Sequence, residues 1–118
     1  MENILDVARL FSSGRFDRVA NRLADEVEFH IYEDNKHLIG KAQVLSFCQG
    51  IADYFASIDT EFKESGHLVS TDKVAIYGYG EFRRKGDLVN AVNSCDVYEF
   101  NPDGLILKIH SYCKSNQQ

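Results

Sequence analysis

A carboxylate stands deep inside an otherwise β-type run: Asp96, between Cys95 and Val97 in residues 88–100. Successive strand side chains point to opposite faces. Ser94, Asp96 and Tyr98 therefore share one face, and Cys95, Val97 and Glu99 the other. An acid facing an apolar interior is driven toward its neutral form by desolvation. It can then donate a hydrogen bond to developing negative charge, or it can simply accept one from a neighbouring hydroxyl. In the following run, Ile109, Ser111 and Cys113 share a face, opposite His110 and Tyr112. A second carboxylate, Glu64, alternates with Phe62 and Leu68. If those two are core, Glu64 also points inward, and two acids in one apolar cavity have their pKa values pushed apart, as acid–base catalysis requires. The alternative is a strand-edge Glu64 that reaches solvent.

Other chemistries find little support. His30, His37, His67 and His110 have no i,i+4 pair or facial-triad spacing, so no metal site is expected. His37, in a polar stretch, could cover a pocket mouth. Cys48, Cys95 and Cys113 are odd in number and lack CxxC spacing, which indicates reduced thiols in a cytoplasmic protein rather than a disulfide framework or zinc site. Cys113 has no activating base visible in the sequence. No glycine-rich phosphate loop is present, and no cofactor is expected. A net charge of −5 and a pI near 5.3 argue against nucleic acid and anionic membranes. Arg83-Arg84-Lys85 before Gly86-Asp87 reads as a solvated hairpin tip. No secretory leader or membrane span is evident.

The elements that would position these groups follow from periodicity. The 118 residues, 44% of them hydrophobic, suit one domain, 1–118. Residues 3–12 carry apolar side chains at helical spacing, and Gly14 closes that helix. Asp17 can start a short second helix with Val19, Ala20 and Leu23. Residues 27–32 read as a strand, 33–40 as a polar loop, and 41–56 as a third helix with one apolar face. Strands are expected at 62–70, 74–83, 88–100 and 105–112. Asn101-Pro102-Asp103-Gly104 makes the last hairpin, because proline presets φ and glycine takes φ > 0. The order α-α-β-α-β-β-β-β is α+β, with helices packed on one face of a mixed sheet.

The chain resembles the SnoaL-like and ketosteroid-isomerase-like branch of the nuclear transport factor 2-like superfamily. The resemblance rests on Phe11-Ser12-Ser13-Gly14-Arg15-Phe16-Asp17, Leu23-Ala24-Asp25-Glu26-Val27-Glu28-Phe29, Gly40-Lys41-Ala42, Asp72-Lys73-Val74-Ala75-Ile76, and the stretch from Asp96-Val97-Tyr98 through Asp103-Gly104-Leu105-Ile106. It implies a curved sheet wrapped as a cone, a cystatin-like α+β barrel, around the long third helix, with a pocket at the wide end. It also implies dimerisation through the outer sheet face, where Tyr77 and Tyr79 fall. Val74, Ile76, Gly78, Gly80 and Phe82 would face inward, the two glycines leaving a roomy cavity or else marking a strand bend.

The resemblance places Asp96 where the isomerases carry an inward acid that donates to an oxyanion. It fails at the base: the proton-abstracting position falls at Ile31, and two supporting tyrosines fall at Val7 and Cys48. Steroid isomerisation by that mechanism is therefore not expected, although Glu33 and Asp34 lie close to Ile31. The expected site is a cone that holds a compact, mostly apolar organic molecule. Phe11, Phe29, Ile31, Phe47, Ile51, Phe55, Phe62, Phe82 and Ile109 would wall it. Asp96, Ser94, Tyr98 and Ser111, with Glu64 and Cys113, would supply polar groups. Any chemistry would be cofactor-free proton transfer: isomerisation, cyclisation or dehydration. The rival is a non-catalytic dimeric domain whose cone is plugged by Phe11, Phe55 and Phe82.

Overall fold

A computed structural model describes residues 3–117. Helix α1 spans Ile4–Ser12 and is capped by the Asn3 side chain, which accepts from the Asp6 amide at 2.9 Å. Strands β1 (Leu23–Ile31) and β2 (Lys36–Ile39) follow, then helix α2 (Lys41–Ala56). Strands β3 (Asp59–Val69), β4 (Lys73–Arg84), β5 (Asp87–Phe100) and β6 (Ile106–Gln117) complete the chain.

The six strands form one sheet in the order β2-β1-β6-β5-β4-β3. Only β1 and β6 pair in parallel, and the meander is antiparallel. The sheet does not close: β2 and β3 are its two edges, so the cone is open rather than a barrel. Val7, Ala8 and Phe11 of α1 and Val44 and Cys48 of α2 share one core with Phe29, Val74, Ile76, Tyr98 and Ile109 of the sheet. Among the described residues, no helix is long and apolar enough to cross a membrane.

Two expectations need correction. The short helix at 17–23 is two single 3-10 turns, Phe16–Arg18 and Ala20–Arg22. The stretch is confined between Gly14, at φ 84°, and the start of β1. That leaves room for i→i+3 turns, not for the cooperative run an α-helix needs. The polar loop at 33–40 contains β2. Its exposed Lys36 and His37 suit an edge strand, which tolerates charge.

Both read hairpins form. Lys85 and Gly86 both have positive φ, as a two-residue type I′ turn requires. At 101–104, the Asn101 side chain accepts from the amides of Asp103 and Leu105.

Candidate functional site

The wide end of the cone holds an open cavity of about 860 Å³. Its walls come from the C-terminal turn of α1, the end of α2, the start of β3 and the facing strands β4–β6. The expected residues Phe11, Phe29, Ile51 and Phe55 line it, as do Phe62 and Phe82. Ser94, Asp96, Ser111 and Cys113 supply its polar floor. The aromatic rings border the space without filling it: Phe55 and Phe82 lie 5.8 Å apart by centroid, with Tyr54 also 5.8 Å from Phe82.

Five expected residues lie elsewhere. Tyr98 and Ile109 are fully buried beneath the floor, and Ile31 is core near the end of β1. Phe47 packs edge-on against Phe29 with the Lys36 ammonium over its ring, on the side of α2 toward β2. Glu64 is the clearest correction. Glu64 keeps the phase of Phe62, but an irregularity between Glu64 and Gly66 turns the strand beyond it, so Leu68 is 71% exposed rather than core. The Glu64 carboxylate is clamped by Arg9, whose Nε and Nη2 lie 2.9 and 3.0 Å from its two oxygens, with His67 Nδ1 at 3.0 Å. The Arg9 guanidinium holds it at a pKa of about 2. It is an ionised surface partner, not a second cavity acid.

Gly80 lines the cavity, but Gly78 does not open space. The Phe62 ring and the Lys63 carbonyl occupy the place where a Gly78 Cβ would go. At the mouth, Gly14 ends α1 at positive φ and lies so close to the Phe55 ring that a Cβ would collide with it. That approach locks the end of α1 to the end of α2.

Asp96 lies at the middle of the cavity's polar groups. Ser12 donates to Oδ2 and Ser111 donates to Oδ1, each at 2.9 Å. Ser12 in turn shares a 2.5 Å hydrogen bond with the Tyr98 hydroxyl, and Ser111 a 3.1 Å contact with the Cys113 thiol. Two hydroxyl relays thus converge on one carboxyl group. Burial pushes the Asp96 pKa up, and the hydrogen bonds from Ser12, Ser111 and Tyr98 only partly oppose it. Burial likewise raises Tyr98 well above its ordinary value and raises Cys113. Cys48 is pushed up to about 12. These thiols are protonated at neutral pH and are poor nucleophiles.

Ile31, at the base position implied by the resemblance, offers no proton acceptor, and neighbouring Glu33 is tied to Ser115, whose amide and hydroxyl both reach its carboxylate at 2.7 Å. Ser12 was missed by the sequence reading. The available signal was a hydroxyl one turn after Ala8 on the buried stripe of α1. The mouth residues Ser13, Arg15, Asp59 and Glu61 were missed too, because loop approach is not encoded in periodicity.

The outer face of the sheet carries Tyr77, 45% exposed with its ring over Gly66, and Tyr79, which donates to Glu81. His37 lies on this outer side, beside His30 and Glu28, not at the cavity.

Comparison with solved structures places this geometry among known folds. An NTF2-like protein of unknown function from Cytophaga hutchinsonii is 28% identical, with a TM-score of 0.82 over 93% of this chain and 95% of that one. A provisional SnoaL-like polyketide cyclase from Jannaschia sp. CCS1 is 16% identical, with a TM-score of 0.72 over 94% and 85%. A computationally designed 17-OHP binder is 17% identical, with a TM-score of 0.67 over 92% and 87%. No curated protein matches the chain. The sequence profile of the SnoaL-like domain matches residues 4–109, so the open cone and its acid floor belong to a member of the SnoaL-like domain family.

Proposed function

We propose that this protein binds a compact, mostly apolar organic molecule in the cone and orients it by a hydrogen bond to Asp96. The observation that carries this reading is an open cavity of about 860 Å³ whose floor is one burial-raised carboxyl group. Ligand pockets are commonly apolar clefts of roughly 300–1,000 Å³ with a few convergent polar groups. The designed 17-OHP binder supports the capacity of the fold to hold such a molecule. The chemistry that fits is cofactor-free proton transfer of the isomerase, cyclase or dehydratase type. Asp96 is the acid or oxyanion donor, and the relays through Ser12–Tyr98 and Ser111–Cys113 redistribute the proton. A second reading, binding without turnover, is favoured by Ile31 at the base position. Enolisable deuterated ketones distinguish the two: loss of deuterium means turnover, and binding without loss means a carrier.

The test of binding is an amide NMR titration with a panel of fused-ring ketones. Shifts should gather at Ser12, Ser94, Asp96 and Ser111. Ser94→Phe, which places a ring in the cavity, should weaken binding at least about tenfold while the protein stays folded, since one lost apolar site is worth about 1.4 kcal/mol or more. Binding that survives Ser94→Phe unchanged would move the ligand out of the cone.

The protein is further proposed to pair with a second copy through the outer face bearing Tyr77 and Tyr79, as aromatic side chains favour. Sedimentation should give twice the chain mass, and Tyr77→Asp should halve it. A wild-type monomer would remove this proposal. Three free cysteines fit a reducing compartment such as the cytoplasm.

A further inference from the structure

We propose that the outer face of β1 and β2 carries a divalent transition-metal site made by Glu28, His30 and His37, with a donor set that suits Zn2+. It is separate from the cone, on the opposite side of the sheet from Phe29 and Ile31.

The placement comes from the backbone. His30 and His37 are directly opposed partners in the antiparallel β1–β2 pair, and Glu28 lies two residues before His30, hence on the same face. His37 Nε2 is 2.9 Å and His30 Nε2 is 3.4 Å from the same oxygen, Glu28 Oε1. All three donor atoms fall within 4.8 Å of one another. Ligands about 2.0–2.2 Å from a tetrahedral zinc are themselves separated by roughly 3.3–3.6 Å, close to the two His–Glu28 distances of 2.9 and 3.4 Å. The two imidazoles are stacked at 3.9 Å by centroid and 20° between planes. They must splay for their lone pairs to converge, and His37, 45% exposed on edge strand β2, has room to turn.

Two imidazoles and a carboxylate are a borderline donor set suited to zinc, with a remaining position for water. His110 stacks on His30 at 5.1 Å but is not a ligand. Its Nε2 contacts Glu99 at 2.8 Å and its Nδ1 the Tyr32 hydroxyl at 2.9 Å. It packs its ring against that of His30 instead. Lys108, across from Glu28 on β6, is the charge that opposes a cation here. Sequence spacing concealed the site because its ligands meet across a hairpin whose second strand reads as a polar loop.

The experiment is a Zn2+ titration of the full chain against a chromophoric chelator, with long-range 15N NMR of the histidine rings. The expected result is one Zn2+ per chain, with the Nε2 signals of His30 and His37 shifted. His37→Gln and Glu28→Gln should each weaken binding by at least the roughly 10–100-fold that loss of a supporting group costs. His67→Gln, at a surface histidine elsewhere, should leave affinity unchanged. Both ligand substitutions are at partly or fully exposed positions, and circular dichroism checks that the fold is kept. Absence of zinc binding to the wild type at millimolar metal, or affinity equal in wild type, His37→Gln and Glu28→Gln, would overturn the proposal.

Discussion

Gly78→Ala should destabilise the fold by about 3 kcal/mol, whereas Gly80→Ala, two residues further along the same face of β4, should leave it unchanged or stabilise it by about 0.5 kcal/mol. The two positions look alike in sequence and differ in what surrounds them. At Gly78 a Cβ overlaps the Lys63 carbonyl and the tip of the Phe62 ring. The carbonyl belongs to the neighbouring strand and cannot swing aside without breaking the β3–β4 ladder, so the added methyl acts as overpacking at its upper range. At Gly80 the nearest atoms, the Glu61 carbonyl and Phe62 Cδ1, are 3.7 and 3.9 Å away, ordinary contact distances. There the substitution mainly reduces the freedom of the unfolded chain. Urea unfolding of both variants measures the contrast. Equal midpoints would mean that the close approach of β3 to Gly78 is absent.

The second large effect is a pH-dependent one. Asp96 has a pKa raised in the folded state above its unfolded value of about 3.9. Below that unfolded value the group is neutral in both states and costs nothing. As pH rises from about 3.9 to the folded pKa, the folded chain holds a proton that the unfolded chain has lost, so stability falls. Above the folded pKa the loss is complete. The slope inside the window is about 1.4 kcal/mol per pH unit. The partnered carboxylates act in the opposite sense. Glu64 at about 2, and Glu28 and Glu81 lowered by their His37 and Arg83 partners, gain stability as pH rises through the acid range. The difference between wild type and Asp96→Asn removes that background. Asparagine can accept from one serine and donate to the other. The variant should therefore match the wild type at acid pH and exceed it increasingly as pH rises. Stability curves that run parallel would mean that Asp96 titrates normally.

How much of this could be read from the chain depends on the physical signal behind each part. The floor of the site was legible because strand alternation is strict: Ser94, Asp96, Ser111 and Cys113 follow from a period of two in regular strands β5 and β6. The same rule failed at Leu68, because a bulge just after Glu64 inverts the phase and no residue type forces it to be read there; Glu64 keeps the face of Phe62 but is taken up by Arg9 of α1. The α1 and α2 stripes were legible by period, yet Phe47 took the wrong side because α2 has apolar groups on more than one face. β2 was unreadable as a strand because a short edge strand needs no apolar alternation. With β2 unread, the His30–His37 pairing across the hairpin was invisible. The cavity itself depends on loops and ring packing at Gly14 and Phe55, which are long-range contacts with no local signature.

The claim on which the rest depends, a real cavity floored by an acid whose pKa burial raises, is checked by the pH titration of the Asp96 side-chain carboxyl carbon by NMR, with Asp96→Asn as the assignment control. The midpoint should lie clearly above the ordinary value of about 3.9 and shift further when a cavity ligand is bound. A midpoint at or below that value would show an ionised carboxylate satisfied by Ser12 and Ser111, and would contradict the donor role on which the proposed function rests.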